Sequence, residues 1–323
     1  MALHLILIVI GLVGLFFGAD WLVKGAARLA QSFGVSPLVI GLTVVAFGTS
    51  TPELLVSLTA AIRGSSDISI GNVVGSNIAN IGLILGLTGL IFPIVVHSRI
   101  VRRELPLMIG ISFALVIFMW DGSIGRLDGL LMVLGLIAFN VGAYWEAERG
   151  NGLAEEFAEF EEVEELIETS GEINRLQEVG RLGVGLVVLM IGAQLTVDNA
   201  VAIARAIGVS ELVIGVTLVA FGTSLPELAT SLVAAFRRES DISVGNIIGS
   251  NIYNILAILG ITSLVRPISI SQNVLTVQTP VMLAFAIGLW PLVYHEHIDR
   301  KRAALMFAGY VAYIVALFVF KPA

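Results

Sequence analysis

Glu53 and Glu227 each interrupt a long apolar stretch, inside "GTSTPEL" (48–54) and "GTSLPEL" (222–228). A carboxylate in the middle of a membrane-length segment costs at least ~3 kcal/mol unless a counter-charge offsets it. No Lys or Arg lies at similar depth in either stretch, so the fitting partner is a cation from solution. The neighbours suit one. Pro52 and Pro226 lack an N–H, so the carbonyls of Gly48 and Gly222 lose their helical partners. Thr49, Ser50, Thr223 and Ser224 add hydroxyl oxygens on the same turn. Further on, Ser76 with Asn80 and Ser250 with Asn254 form i,i+4 pairs, each on one helix face. Carboxylates, hydroxyls, amide oxygens and freed carbonyls make an all-oxygen set. It suits Ca²⁺ or Na⁺ and not zinc or copper.

A single Ser, Thr or Asn in a membrane helix is usually glue between helices, and a single Pro is usually a kink. Duplication sets these residues apart. Residues 34–81 and 208–255 align without a gap at an offset of 174, with 34 of 48 positions identical. The first copy contains "SDIS" and "GNVVGSNIANI", the second "SDIS" and "GNIIGSNIYNI". The chain therefore divides into residues 1–147, a linker at 148–177, and residues 178–323. Gly71, Gly75, Gly245 and Gly249 have the spacing that lets helices approach closely. Asp67 and Asp241 follow a serine at expected helix starts and read as N-caps. Asp20 and Lys24, four apart, read as an ion pair.

The elements that carry this constellation must be membrane helices. Of 323 residues, 57% are hydrophobic and only 13% charged, and the mean hydropathy is +0.95. A water-soluble fold cannot hide that much apolar surface. With ~20 residues per crossing, the chain has room for about ten helices and no separate catalytic domain. Five are expected in the first half, near 3–30, 36–62, 67–92, 104–120 and 126–147. Five follow near 180–206, 211–236, 241–265, 275–294 and 303–320. An odd number per half forces the second half to enter from the opposite side. The fold class is thus an all-α membrane protein, ten transmembrane helices as two inverted five-helix repeats. No basic footprint for nucleic acid exists, and the absence of cysteine excludes disulfides and thiolate metal sites.

Thirteen of the 18 Lys and Arg residues fall on one side of this arrangement and five on the other. The positive-inside rule then places both termini outside and the linker in the cytoplasm. The expected location is the plasma (inner) membrane. Nine of the 25 acidic residues lie between Glu155 and Glu172. There Phe157, Phe160, Val163 and Ile167 have the spacing of a short amphipathic helix. The sequence does not give the oligomeric state, and a monomer is one option.

The paired "G-T-S-x-P-E-L" and "G-S-N-I-x-N-I" motifs, in two inverted halves, resemble the α-repeats of the Ca²⁺/cation antiporter superfamily. The nearest branch is the prokaryotic Na⁺/Ca²⁺ exchangers, and the resemblance covers nearly the whole chain. It implies a secondary active antiporter, not an enzyme, that exchanges Ca²⁺ for Na⁺ by alternating access and needs no cofactor. Its ion ligands would be Thr49, Ser50, Glu53, Ser76 and Asn80 with Thr223, Ser224, Glu227, Ser250 and Asn254. The carbonyls of Ala46 and Ala220 would join them. The first and sixth helices would slide as a pair. One departure stands out: some members carry an acid at one position equivalent to Asn80 or Asn254, and here both are neutral. The site then has a formal charge of −2, which one Ca²⁺ neutralises. Ca²⁺/H⁺ antiport and K⁺-dependent Na⁺/Ca²⁺ antiport stay open as alternatives on this fold. The Ca²⁺/H⁺ branch typically carries a "G-N-x-x-E" motif that "GNVVGSN" and "GNIIGSN" lack. A passive cation channel is the reading from outside the class.

Overall fold

The computed structural model describes residues 1–149, 174–208 and 220–320. The acidic linker with its expected helix, the start of the expected span 211–236, and the C-terminal Ala323 lie outside the described residues. The first half runs α1 (Ala2–Phe33), α2 (Pro37–Ile40), a π-helical turn (Gly41–Val45), α3 (Ala46–Thr49) and α4 (Thr51–Ile62). It continues through α5 (Ser66–Ala79), a π segment (Asn80–Leu85), α6 (Gly86–Ile91), β1 (Ile94–Val95), a π turn (Ile100–Glu104), α7 (Leu105–Phe118), β2 (Ser123–Ile124) and α8 (Arg126–Arg149). The second half has α9 (Arg175–Ala206), α10 (Ala220–Thr223), α11 (Leu225–Phe236) and α12 (Ser240–Tyr253). A π segment (Asn254–Leu259), α13 (Gly260–Val265), β3 (Ile268–Ser269), a π turn (Val274–Gln278), α14 (Thr279–Val293), β4 (His297–Ile298) and α15 (Arg300–Phe320) complete it.

Six of the described helices are long and apolar enough to cross a membrane, seven if the bent pair Pro37–Thr49 and Thr51–Ile62 counts as one. Three other expected spans are not among these, and the part of 211–236 before Ala220 lies outside the described residues. α7 has 14 residues behind a π turn, α11 has 12, and α15 opens on Arg300, Lys301 and Arg302. The two spans holding the Ser–Asn pairs are central: 72% of the most apolar stretch of Ser66–Ile91 is buried, and 89% of that of Ser240–Val265. α1 and α8 are peripheral, with 22% and 17%. They expose rows of large apolar side chains, such as Leu5, Val9 and Phe16 on α1 and Leu127, Leu130 and Leu134 on α8. That is the inverse of a soluble fold and suits lipid.

The helix ends follow from local chemistry. Ser36 caps α2 by accepting from the Leu38 N–H at 3.1 Å, and Asn174 caps α9 by accepting from Leu176 and Gln177. α1 ends where Gly34 turns left-handed, at φ 63°. Asp67 and Asp241 are not N-caps. Ser65 and Glu239 occupy those positions, and the two aspartates lie in the first helical turn, where the helix dipole favours a carboxylate without a capping bond. The two-residue strands also went beyond an all-helical expectation. β1 pairs antiparallel with β4, and β2 with β3. β1 and β3, and likewise β2 and β4, are equivalent at the offset of 174. Each ladder therefore joins the two halves, and the pair of ladders is reciprocal.

α1 and α9 pack against each other along most of their length through small residues. A Cβ on Gly18 would lie 2.5 Å from the Leu189 nitrogen, and one on Gly185 2.6 Å from the Leu22 nitrogen. Asp20 of α1 pairs with Lys24 at 2.9 Å, as its spacing suggests, and also with Arg237 after α11. Glu178 of α9 holds Arg28 at 3.1 Å and Arg181 at 2.7 Å. Gly245 and Gly249 do admit a close neighbour, the Leu38–Ala46 backbone, at 3.1 and 2.5 Å. For Gly71 and Gly75 no described atom lies within 4 Å of a built Cβ.

Candidate cation-binding site

Both glutamates sit at a helix break. The chain leaves helical geometry at Ser50 (φ −82°, ψ 4°) and at Ser224 (φ −91°, ψ 7°). The axes before and after Ser50 differ by 44°. Pro52 and Pro226 fall on the second residue of α4 and α11, where a missing N–H costs no hydrogen bond. The proline thus starts a new helix instead of kinking an old one. Glu53 and Glu227 are the third residues of these helices, within reach of the positive end of the dipole.

The two breaks face each other. Ser224 Oγ donates to Glu53 Oε1 at 3.3 Å, and Ser50 Oγ donates to Glu227 Oε1 at 3.2 Å. Each glutamate is 1% exposed. α4 packs against the π segment that begins at Asn254, and α11 against the one that begins at Asn80. Asn80 Nδ2 donates to Asn251 Oδ1 at 3.2 Å, and Asn254 Nδ2 donates to Asn77 Oδ1 at 2.9 Å. Every one of these bonds joins residue i of one half to residue j of the other, and its mate joins j to i. Such reciprocity is the mark of a twofold relation and not of a translated copy.

Five buried acceptor oxygens have no partner among the described residues: Glu53 Oε2, Glu227 Oε2, Asn80 Oδ1, Asn254 Oδ1 and Ser250 Oγ. Orphaned buried acceptors are rare because each forfeits its solvation. A positive ion beside such oxygens offsets that penalty. Among the described residues, none of the ion pairs reaches Glu53 or Glu227. The donor set is thus carboxylate, amide and hydroxyl oxygen, the chemistry of a hard cation.

The remaining candidates differ in burial and bonding. Thr49 is fully buried and commits its hydroxyl proton to Asn246 Oδ1 at 3.0 Å. Thr223 is half-buried. Ser76 is buried on α5, and its carbonyl accepts the Asn80 N–H. The Ala46 carbonyl accepts the Ser50 N–H at 3.0 Å and lies 3.4 Å from the Thr49 hydroxyl. It is therefore hydrogen-bonded within its own turn. Ala220 opens α10 at the equivalent place. Sequence reasoning did not single out Asn72, Asn77, Asn246 or Asn251. Asn72 Nδ2 donates to the Glu53 carbonyl at 3.1 Å and to Ser57 Oγ at 2.9 Å, and Asn246 Nδ2 donates to Ser231 Oγ at 3.2 Å. All four are identical between the two repeats, and that identity was the available signal.

The family model described as sodium/calcium exchanger protein matches residues 3–145 and again 178–319. The sodium/calcium exchanger MaX1 of Methanosarcina acetivorans is 35% identical over 344 residues, covering 98% of each chain. The putative antiporter CaxA of Alkalimonas amylolytica is 38% identical over 320 residues, covering 97% of this chain and 98% of its own. A solved structure of the sodium–calcium exchanger NCX_Mj superposes with a TM-score of 0.81 at 36% identity over 98% of both chains.

Proposed function

The chain belongs to the sodium/calcium exchanger protein family, and from that premise we propose that it exchanges Ca²⁺ for Na⁺ across a membrane by alternating access. The site is the Glu53–Glu227 centre, with Thr49, Ser50, Ser76, Asn80, Thr223, Ser224, Ser250 and Asn254 as further ligands and the Ala46 and Ala220 carbonyls at its edge. The observation that carries this reading is the reciprocal crossing of Ser50 to Glu227 and Ser224 to Glu53, with one oxygen of each carboxylate left without a partner among the described residues. Two carboxylates carry −2 together. One Ca²⁺ balances that charge, whereas two or more Na⁺ are needed to replace it. Competition for the same oxygens couples the two ions. K⁺ bound beside Ca²⁺ would add a charge that no third carboxylate offsets, so transport is K⁺-independent.

The same chain organisation supports a ten-span topology of two inverted repeats, residues 1–147 and 178–323, joined by the acidic linker 148–177. Separate matches of one family model to the two halves favour it, as do the reciprocal ladders β1–β4 and β2–β3. The 13-to-5 split of basic residues supports both termini outside and the linker in the cytoplasm of a plasma-membrane protein. The α1–α9 pair, closely packed through glycine backbones, is suited to move as one body past the central helices and open the site to either side.

The test is ⁴⁵Ca²⁺ uptake into proteoliposomes loaded with Na⁺, K⁺ or choline. Uptake is expected only from the Na⁺-loaded vesicles. Equal uptake without any counter-ion gradient would identify a channel, and uptake driven by a pH gradient alone would identify proton coupling.

A further inference from the structure

An asparagine ligand has two ends, and only one of them suits a cation. The carbonyl oxygen attracts it, and the NH₂ group, half a turn away, repels it. The orientation of Asn80 and Asn254 is therefore a decision that neighbouring groups must make. Two buried methionines make it. A thioether sulfur accepts hydrogen bonds and cannot donate. Met108 Sδ lies 3.4 Å from Asn251 Nδ2, so Asn251 must turn its NH₂ toward the sulfur and its Oδ1 away. That oxygen receives the Asn80 NH₂ at 3.2 Å. The Asn80 carbonyl is then left with no partner among the described residues.

The equivalent chain starts in the other half. Asn77 Nδ2 lies 3.8 Å from Met282 Sδ and 3.3 Å from the Asn251 main-chain carbonyl. Both accept only. Asn77 Oδ1 thus faces Asn254, takes its NH₂ at 2.9 Å, and leaves the Asn254 carbonyl unpartnered. Met108 and Met282 are equivalent at the offset of 174, and each is 1% exposed.

We infer that Asn251 with Met108, and Asn77 with Met282, are positioning residues that point the ligand carbonyls of Asn80 and Asn254 at the transported cation. The inference rests on the proposed site. Each relay passes from one half to the other and back, so every ligand amide is set by the opposite repeat. The two relays differ in strength. Asn77 has a second acceptor in the Asn251 carbonyl, whereas among the described residues Asn251 Nδ2 has Met108 alone.

A double-mutant cycle tests this. The Ca²⁺ concentration for half-maximal Na⁺-driven uptake is measured on the full chain in proteoliposomes. Asn251→Leu is expected to raise it about tenfold in the wild-type background and less than about twofold when Asn80→Ala is already present. Met108→Leu, which keeps the volume and removes the acceptor, is expected to raise it about threefold, and Met282→Leu by less. An unchanged Asn251→Leu effect in the Asn80→Ala background would show a merely structural role. A Met282→Leu effect equal to or larger than that of Met108→Leu would likewise overturn the relay. If Asn80→Ala itself leaves the half-maximal concentration unchanged, Asn80 is no ligand and the site reading fails first. Should Asn251→Leu not reach the membrane, Asn77→Leu against Asn254→Ala gives the equivalent cycle with the same expectations.

Discussion

Alanine at Gly18 would put a methyl group into the backbone of the facing helix. Its Cβ would stand 2.5 Å from the Leu189 nitrogen, 2.8 Å from the Leu189 Cα and 2.9 Å from the Gly185 carbonyl oxygen. Carbon contacts settle near ~3.5–4.0 Å, so α1 and α9 must separate by roughly 1 Å at this crossing. No flexible side chain can rotate away to absorb the change. Overpacking of this kind costs ~1–3 kcal/mol. Gly14, one turn earlier on the same helix, is the internal control, because its nearest neighbour is the Gly192 Cα at 3.4 Å. Alanine gains roughly 1 kcal/mol of helix propensity over glycine at both positions, so the gain cancels between them. At roughly 2 °C per kcal/mol for a chain of this size, Gly18→Ala should melt about 2–6 °C below Gly14→Ala. Intrinsic tryptophan fluorescence during heating reads the transition, with Trp21 reporting from α1 itself. Equal midpoints for the two variants would refute the contact geometry.

Arg238 adopts φ 64° where its equivalent, Gly64, has φ 85°. Arg238→Gly should therefore raise the melting midpoint, by relief of ~1 kcal/mol of left-handed strain; a lower midpoint would contradict this. Burial, and then the charge of Asp241, push the Glu239 carboxyl up from 4.5 to about 7. A raised carboxyl pKa favours the fold at low pH, with the contribution intact below about 4.5 and lost as pH rises through 7. Glu239→Gln should thus match the wild type in stability at pH 4.5 and exceed it by roughly 1–2 kcal/mol at pH 8, after allowance for solvent screening. Melting curves at the two pH values that keep a constant gap between variant and wild type would contradict that assignment. Glu53→Gln and Glu227→Gln retain the carbonyl that accepts from Ser224 or Ser50, so the proteins should reach the membrane yet lose Ca²⁺ uptake by at least a hundredfold. Removing one of two charges from a buried divalent ion forfeits several kcal/mol even at an effective dielectric of ~20.

Much of the site was legible because it occurs twice. Glu53 and Glu227 stood out by charge in an apolar setting, and Ser50 and Ser224 by their place before Pro52 and Pro226. The structure joins these four as two crossed bonds. Asn77, Asn251, Asn72 and Asn246 were equally repeated, yet an amide in a membrane helix has many uses and sequence spacing gives no orientation. Met108 and Met282 lie beyond the densest stretch of identity, where scattered methionines read as lipid-facing or core filling. The π segments at Asn80–Leu85 and Asn254–Leu259 leave no mark in hydropathy, since one extra residue per turn is set by packing. The ladders between β1 and β4 and between β2 and β3 are two residues each, too short for any alternation to reveal. The sequence points to freed Gly48 and Gly222 carbonyls inside a continuous span, not to a new helix start, because proline disrupts a helix interior and starts a helix equally well.

The most direct measurement is ⁴⁵Ca²⁺ uptake by the purified full chain in Na⁺-loaded proteoliposomes, with external K⁺ replaced by choline and the membrane potential clamped. The wild type should accumulate Ca²⁺ as long as the outward Na⁺ gradient lasts, and Glu53→Gln should accumulate none. Uptake that persists without Na⁺, that demands K⁺, or that survives in Glu53→Gln would contradict a two-carboxylate Na⁺/Ca²⁺ exchange site.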